Sequence, residues 1–90
     1  MSPVKMFEYM AAGIPVIASD FPLWKSIVEK HVCGICVNSL DPKAIANAIN
    51  YLLSHEEDAK QMGMNGRKAI ETEYNWKNEE KKLISFYKQL

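Results

Sequence analysis

This chain predicts an α/β fold built on a parallel sheet, on three observations. Two short continuous apolar runs, "PVIAS" and "GICV", are too brief for helices and read as buried strands. Segments with helical periodicity alternate with them. Each boundary carries a proline, glycine or capping residue of the kind that starts or stops a helix.

In chain order, Ser2 caps a first helix and Pro3 suits its first position. Val4, Phe7, Met10 and Ala11 recur at helical spacing, and Gly13 followed by Pro15 ends the helix. "PVIAS" is the first strand, expected to be buried on both faces. "PLWKSIVEK" makes one or two helical turns, and "GICV" is the second strand. Asp41-Pro42 starts a helix whose inward face is Ile45, Ala48, Ile49, Leu52 and Leu53. "SHEE" has the capping-box pattern, Ser54 to Glu57, for a helix reaching about Thr72, interrupted or weakened at Gly63 and Gly66. Asn75 caps a final helix with Trp76, Leu83, Ile84, Tyr87 and Leu90. Two strands make a poor sheet, and a start on a helix lacks the strand that should feed it. The chain therefore reads as the C-terminal piece of a larger protein.

The bulk properties exclude several classes. Ninety residues make one domain at most. Eleven basic and eleven acidic residues leave no net charge, which argues against nucleic acid as a partner. No run approaches a membrane span, and no secretion signal is visible. Cys33 and Cys36 share C-x-x-C spacing but no helix start, and His31 and His55 are poorly spaced to complete a metal site. Plain buried thiols in a reducing cytosol, with no metal and no cofactor, are the expectation. Trp24, Trp76 and the five methionines read as packing, and "NGRK" at 65–68 as a solvated face.

Glu8 stands out, a single carboxylate among Met6, Phe7, Tyr9 and Met10. One reading pairs it with Lys5 across a solvated face. The other takes the helix as buried nearly all round, where a carboxylate needs hydroxyl or N–H donors. A ribose offers two adjacent hydroxyls, and the neighbouring helix N-terminus, Ser2 to Lys5, suits a phosphate. Together they would suit a nucleotide sugar.

"SPVKMFEYMAAGIPVIASD", "IVEKHVCGICV", "DPKAIANAINYLL" and "MGMNGRKAIETEYNW" resemble, in that order, the C-terminal end of retaining glycosyltransferases of the family-four, GT-B type. The resemblance covers about Ser2 to Tyr87. It implies an incomplete Rossmann-like domain, the C-terminal portion of the donor-binding domain over residues 1–90, with a helical C-terminus that braces an absent acceptor domain. It implies sugar transfer from a UDP- or GDP-sugar to a glycan or lipid-linked acceptor, with retention and without an essential metal. Glu8 matches the second glutamate of the family's E-x7-E motif, which holds the ribose. Val4 and Lys5 match positions whose backbone N–H groups meet the diphosphate. Ser2 and Pro3 stand where many members have phenylalanine and glycine, and Pro3 has no N–H to offer. The first glutamate would fall just before Met1, and the family's basic residues lie further upstream. No residue here is therefore assigned as catalytic, and the isolated piece is expected to be inactive.

The resemblance further implies a cytoplasmic protein, with membrane association of the full-length enzyme left open. Another GT-B enzyme such as a nucleotide-sugar epimerase, and a non-catalytic interaction module, are the alternative readings. Apolar surface at Trp76, Ile84 and Tyr87 is expected to make the piece self-associate.

Overall fold

A computed structural model describes the backbone of residues 3–74 and the side chains of residues 5–74. The elements follow in the order α1 (Pro3–Ala11), β1 (Val16–Ser19), α2 (Pro22–His31), β2 (Gly34–Val37), α3 (Pro42–Ser54) and α4 (Glu56–Thr72). The helix expected from Asn75, the self-association surface at Trp76, Ile84 and Tyr87, and Ser2 lie outside the described residues.

β1 and β2 pair in parallel, Val16 opposite Gly34 and Ser19 opposite Val37. The Val16 amide donates to the Cys33 carbonyl and the Asp20 amide to that of Val37, each at 3.0 Å. The even-numbered residues of β1 thus bond to β2, and the backbone groups of Ile17 and Ser19 face the outer edge. Val16 and Ala18 are buried while Ile17 and Ser19 are half-buried, and all of β2 is half-buried. The expected burial on both faces is therefore met only in part.

One face of β1 holds the core. Val16 and Ala18 meet Met6 and Met10 of α1, Trp24, Ile27 and Val28 of α2, Cys33, and Ala69 and Tyr74 at the end of α4. Met6 and Met10 are fully buried, each contributing about 1.5–3 kcal/mol. Trp24 is packing, as its sequence position suggested. α2 runs three turns rather than one or two, because Trp24, Ile27 and Val28 keep helical spacing to its end. Its C-cap is Val32, with φ 50, a left-handed conformation that costs a β-branched residue about 1–2 kcal/mol. The Asn65 side chain donates to the Val32 carbonyl at 3.0 Å and holds that turn.

Asp41 caps α3 as expected, accepting from the Ala44 amide at 3.1 Å. The face expected to turn inward is only partly covered. Ala48 is buried and Ile45 and Leu52 are half-buried, while Ile49 and Leu53 are exposed.

Two expectations for α4 are corrected. The capping box does not form. Ser54 ends α3 and donates back to the Asn50 carbonyl at 2.6 Å, so its hydroxyl is spent one element too early, and the N-cap is His55. Three acids in the first turn, Glu56, Glu57 and Asp58, complement the helix dipole instead. Gly63 and Gly66 do not interrupt the helix. Both are buried, and they let α4 press against α1. A Cβ on Gly63 would run into the Gly13 carbonyl, and one on Gly66 would stand 3.2 Å from Cys33 Cβ and 3.3 Å from Met10 Cγ. Gly13 itself turns the chain out of α1 at φ 75.

The end of α4 is tied to the end of α2. Glu73 Oε1 lies 3.0 Å from Lys30 Nζ, and Glu73 Oε2 lies 2.9 Å from His31 Nε2. The Tyr74 hydroxyl is 3.1 Å from the same imidazole nitrogen, and its ring lies 5.2 Å from Phe7. Burial pushes the His31 pKa below its ordinary 6.5, against the upward pull of Glu73 and with a smaller push from Lys30.

Two outcomes follow. Gly63→Ala should destabilise the fold by about 1–3 kcal/mol in urea denaturation, although alanine is the better helix former, because backbone blocks the added methyl. The unfolded chain binds a proton at position 31 more readily than the folded one. That contribution to stability is therefore full above pH 6.5 and is lost as pH falls below it. The thermal midpoint should drop over that window, and His31→Gln should flatten the drop.

Candidate functional site

The short turn Ala12–Pro15 reverses the chain between α1 and β1, so α1 runs antiparallel to the strands. Its N-terminus then lies at their carboxyl edge, where ligands of open parallel sheets bind. The first turn of a helix leaves N–H groups without intrahelical acceptors. Pro3 has no N–H, so the first-turn amides of α1 are those of Val4 and Lys5. Among the described residues the first turn carries no acidic side chain, and the positive end of the helix dipole lies there.

Glu8 lies one turn further along, about 6 Å from Val4 by helical rise. The reading of α1 as buried nearly all round is corrected. Met6 and Met10 face the core and Phe7 is half-buried, but Lys5, Glu8, Tyr9 and Ala11 face solvent. The Glu8 side chain is 57% exposed and its Oε2 is 3.5 Å from Lys5 Nζ. A pair of this kind is worth at most about 1 kcal/mol. Glu8 is therefore placed without a burial cost and stays exposed at the same edge as the first-turn amides. The structure thus brings Val4, Lys5 and Glu8 together on the first turns of one helix.

The turn from β1 into α2 reaches the same edge. Asp20 and Phe21 there were passed over in the sequence, where "SDFP" reads only as a strand end and helix start. Asp20 is exposed, and the Phe21 ring is 58% exposed, 5.8 Å from that of Trp24. An aromatic residue directly before the helix proline was the available signal.

The cysteines are free, Cys33 buried and Cys36 half-buried. The expectation of burial therefore holds fully for Cys33 only. Burial raises both thiol pKa values, that of Cys33 to about 11, and Glu29 adds to the rise at Cys36. Residues three apart on an extended strand are separated by about 10 Å, beyond the ~7 Å limit of a disulfide. Among the described residues no group of His, Cys, Asp or Glu could hold a metal ion.

A shallow groove, lined by Leu53 to Asp58, lies at the α3–α4 joint, toward the amino ends of the strands. His55 stacks on Tyr51 at 4.0 Å, and the Tyr51 hydroxyl donates to Asp58, which raises the phenol pKa. These groups satisfy one another and present no convergent donors. No helix among the described residues is long and apolar enough to cross a membrane.

A helix N-terminus and an exposed carboxylate at the carboxyl edge of a parallel α/β frame are what these observations define. Residues 2–69 match the family described as "Glycosyl transferases group 1", and the chain belongs to that family. It is 31% identical over 84 residues to spore coat protein SA of Bacillus subtilis, covering 92% of this chain and 22% of that protein. It is 30% identical over 83 residues to D-inositol 3-phosphate glycosyltransferase of Corynebacterium urealyticum, covering 92% and 19%. It is 29% identical over 83 residues to the GDP-mannose-dependent alpha-(1-6)-phosphatidylinositol monomannoside mannosyltransferase of Mycobacterium tuberculosis, covering 92% and 22%. The chain thus spans about a fifth of the length of these relatives. No solved structure matches it significantly.

The buried thiols yield a test. At neutral pH a rise to about 11 lowers the Cys33 thiolate fraction roughly a hundredfold. Iodoacetamide should label Cys33 far more slowly in the folded chain than in urea, and oxidation should leave no bridge between Cys33 and Cys36 by mass spectrometry.

Proposed function

We propose that this chain is the C-terminal portion of the nucleotide-sugar-binding domain of a glycosyltransferase. The whole protein transfers a sugar from a nucleoside diphosphate sugar to a glycan or lipid-linked acceptor, with retention of configuration. The observation that carries the reading is the start of α1, within the family-matched segment. The backbone amides of Val4 and Lys5 at the positive end of a helix dipole stand one turn from an exposed carboxylate, at the carboxyl edge of a parallel sheet. The GDP-mannose in one relative's name supports a nucleotide-sugar donor.

In this reading the diphosphate sits on the Val4 and Lys5 amides, and Glu8 accepts hydrogen bonds from the ribose hydroxyls. Cleavage of the bond from the anomeric carbon to phosphate builds negative charge on the leaving group. Fixed N–H dipoles stabilise that charge without reorganising. The Lys5 ammonium adds charge once the ribose displaces it from Glu8, an exchange that costs little for so exposed a pair. Glu8 binds and orients, and it moves no proton. Held geometry between donor and acceptor supplies much of the remaining acceleration, and the acceptor's position belongs to parts of the enzyme beyond this chain.

Titration of the labelled chain with UDP and GDP by heteronuclear NMR tests the assignment. The amides of Val4, Lys5 and Glu8 should shift with one nucleotide more than the other. Glu8→Gln should weaken binding about tenfold or more, since a charged acceptor contributes about 1.5–3 kcal/mol. A folded sample in which none of these amides moves with either nucleotide would overturn the donor half-site.

A further inference from the structure

Trp24 carries an unmet demand. Its side chain is nine-tenths buried, yet the indole Nε1–H is sealed from solvent without an acceptor among the described residues. A buried donor left unpaired is rare and calls for a reason. Trp24 is the third residue of α2, and helical side chains lean back toward the N-terminus of their helix. Its ring accordingly lies 5.8 Å from that of Phe21, the N-cap. The same helix start is uncapped by any side chain. Pro22 has no N–H, so the Leu23 and Trp24 amides are left without intrahelical acceptors. Just ahead stands Asp20, exposed, its carboxylate without a hydrogen bond or ion pair among the described residues. Lys25, on the next turn, is directed to Glu29 at 3.9 Å.

Three kinds of group therefore lie within Asp20 to Trp24: the Leu23 and Trp24 amides with the unpartnered indole behind them, one acceptor-only carboxylate, and the exposed Phe21 ring packed on that of Trp24. A simple anion fits poorly, because Asp20 would repel it. A cation fits poorly against a row of N–H groups at a helix N-terminus. A carbohydrate fits all three, since each hydroxyl both donates and accepts and the ring presents a C–H face to an aromatic. We propose that the β1–α2 lip, Asp20 to Trp24, is a carbohydrate contact. Phe21 stacks on the sugar ring, Asp20 accepts from a hydroxyl, and a hydroxyl oxygen accepts from the indole Nε1–H when the Phe21 ring turns aside. The proposal rests on the glycosyl-transfer reading above and adds where this chain touches sugar. Its position at the strand carboxyl edge puts it beside, and separate from, the amides of α1.

Simple glycosides lacking a nucleotide test it. The 15N-labelled chain is titrated with methyl α-D-mannopyranoside and methyl α-D-glucopyranoside, with Trp76→Phe used to assign the Trp24 indole signal. The Trp24 Nε1–H resonance and the Leu23 amide should move saturably with at least one glycoside. Phe21→Ala and Asp20→Asn, both at exposed positions, should each weaken that response about tenfold. Unmoved Met10 and Val28 signals would verify that the variants keep the core. An indole resonance that stays fixed with both glycosides, or moves equally in both variants, overturns the proposal. The outcome is independent of the nucleotide titration, which reads Val4, Lys5 and Glu8. Failure here with success there removes the sugar contact and leaves the donor half-site standing.

Discussion

The rest of the fold depends on one contact, that between the Gly13 carbonyl and the face of α4 at Gly63. At this point backbone meets backbone with no room for a methyl group. Gly66 and Ala69 continue the same narrow stripe, one turn apart, over Met10 and the core. The stripe fixes how deeply α4 sits and hence where Tyr74 arrives, beside Phe7 and His31. It also holds α1 at a set depth on β1. The amides of Val4 and Lys5 are positioned by packing about two and a half turns away from them, at the other end of their helix.

Electrostatics separates the helix starts. α3 and α4 have their dipoles answered, by the Asp41 cap and by three acids respectively. α1 and α2 begin with proline, have no acid in the first turn, and share the carboxyl edge of the sheet. At α2 no side chain caps the start, so a ligand's oxygens could replace a cap there. Glu8 and Asp20 supply acceptors at that edge without burial, so neither adds a desolvation cost to folding.

Much of the frame was legible in the sequence because its signals are local. Proline and glycine punctuate α1, and Asp41-Pro42 opens α3 through a cap that depends on residues four apart at most. The order of strands and helices, with the resemblance, led to the right class and family. What differs depends on distant partners, on competition between adjoining helices, or on which way a helix faces. Gly63 and Gly66 look like helix weakeners until Gly13 and Met10 are brought against them. Ser54 and Glu57 have capping-box spacing, but the serine is claimed by the helix before it. Glu8 looks embedded because its neighbours in sequence are apolar, while in space Met6 and Met10 turn to the core and Tyr9 shares the solvent face with it. The site at α1 was visible through the resemblance. The lip at Asp20 and Phe21 was not, since only the packing of Trp24 reveals a donor without a partner.

The two-stranded sheet has a further consequence. The outward groups of Ile17 and Ser19 form a short row of hydrogen-bonding positions at the edge of β1. Such an edge is a template for any extended segment, whether native or foreign. With four residues it can recruit only a brief partner, and twist limits how far pairing could spread.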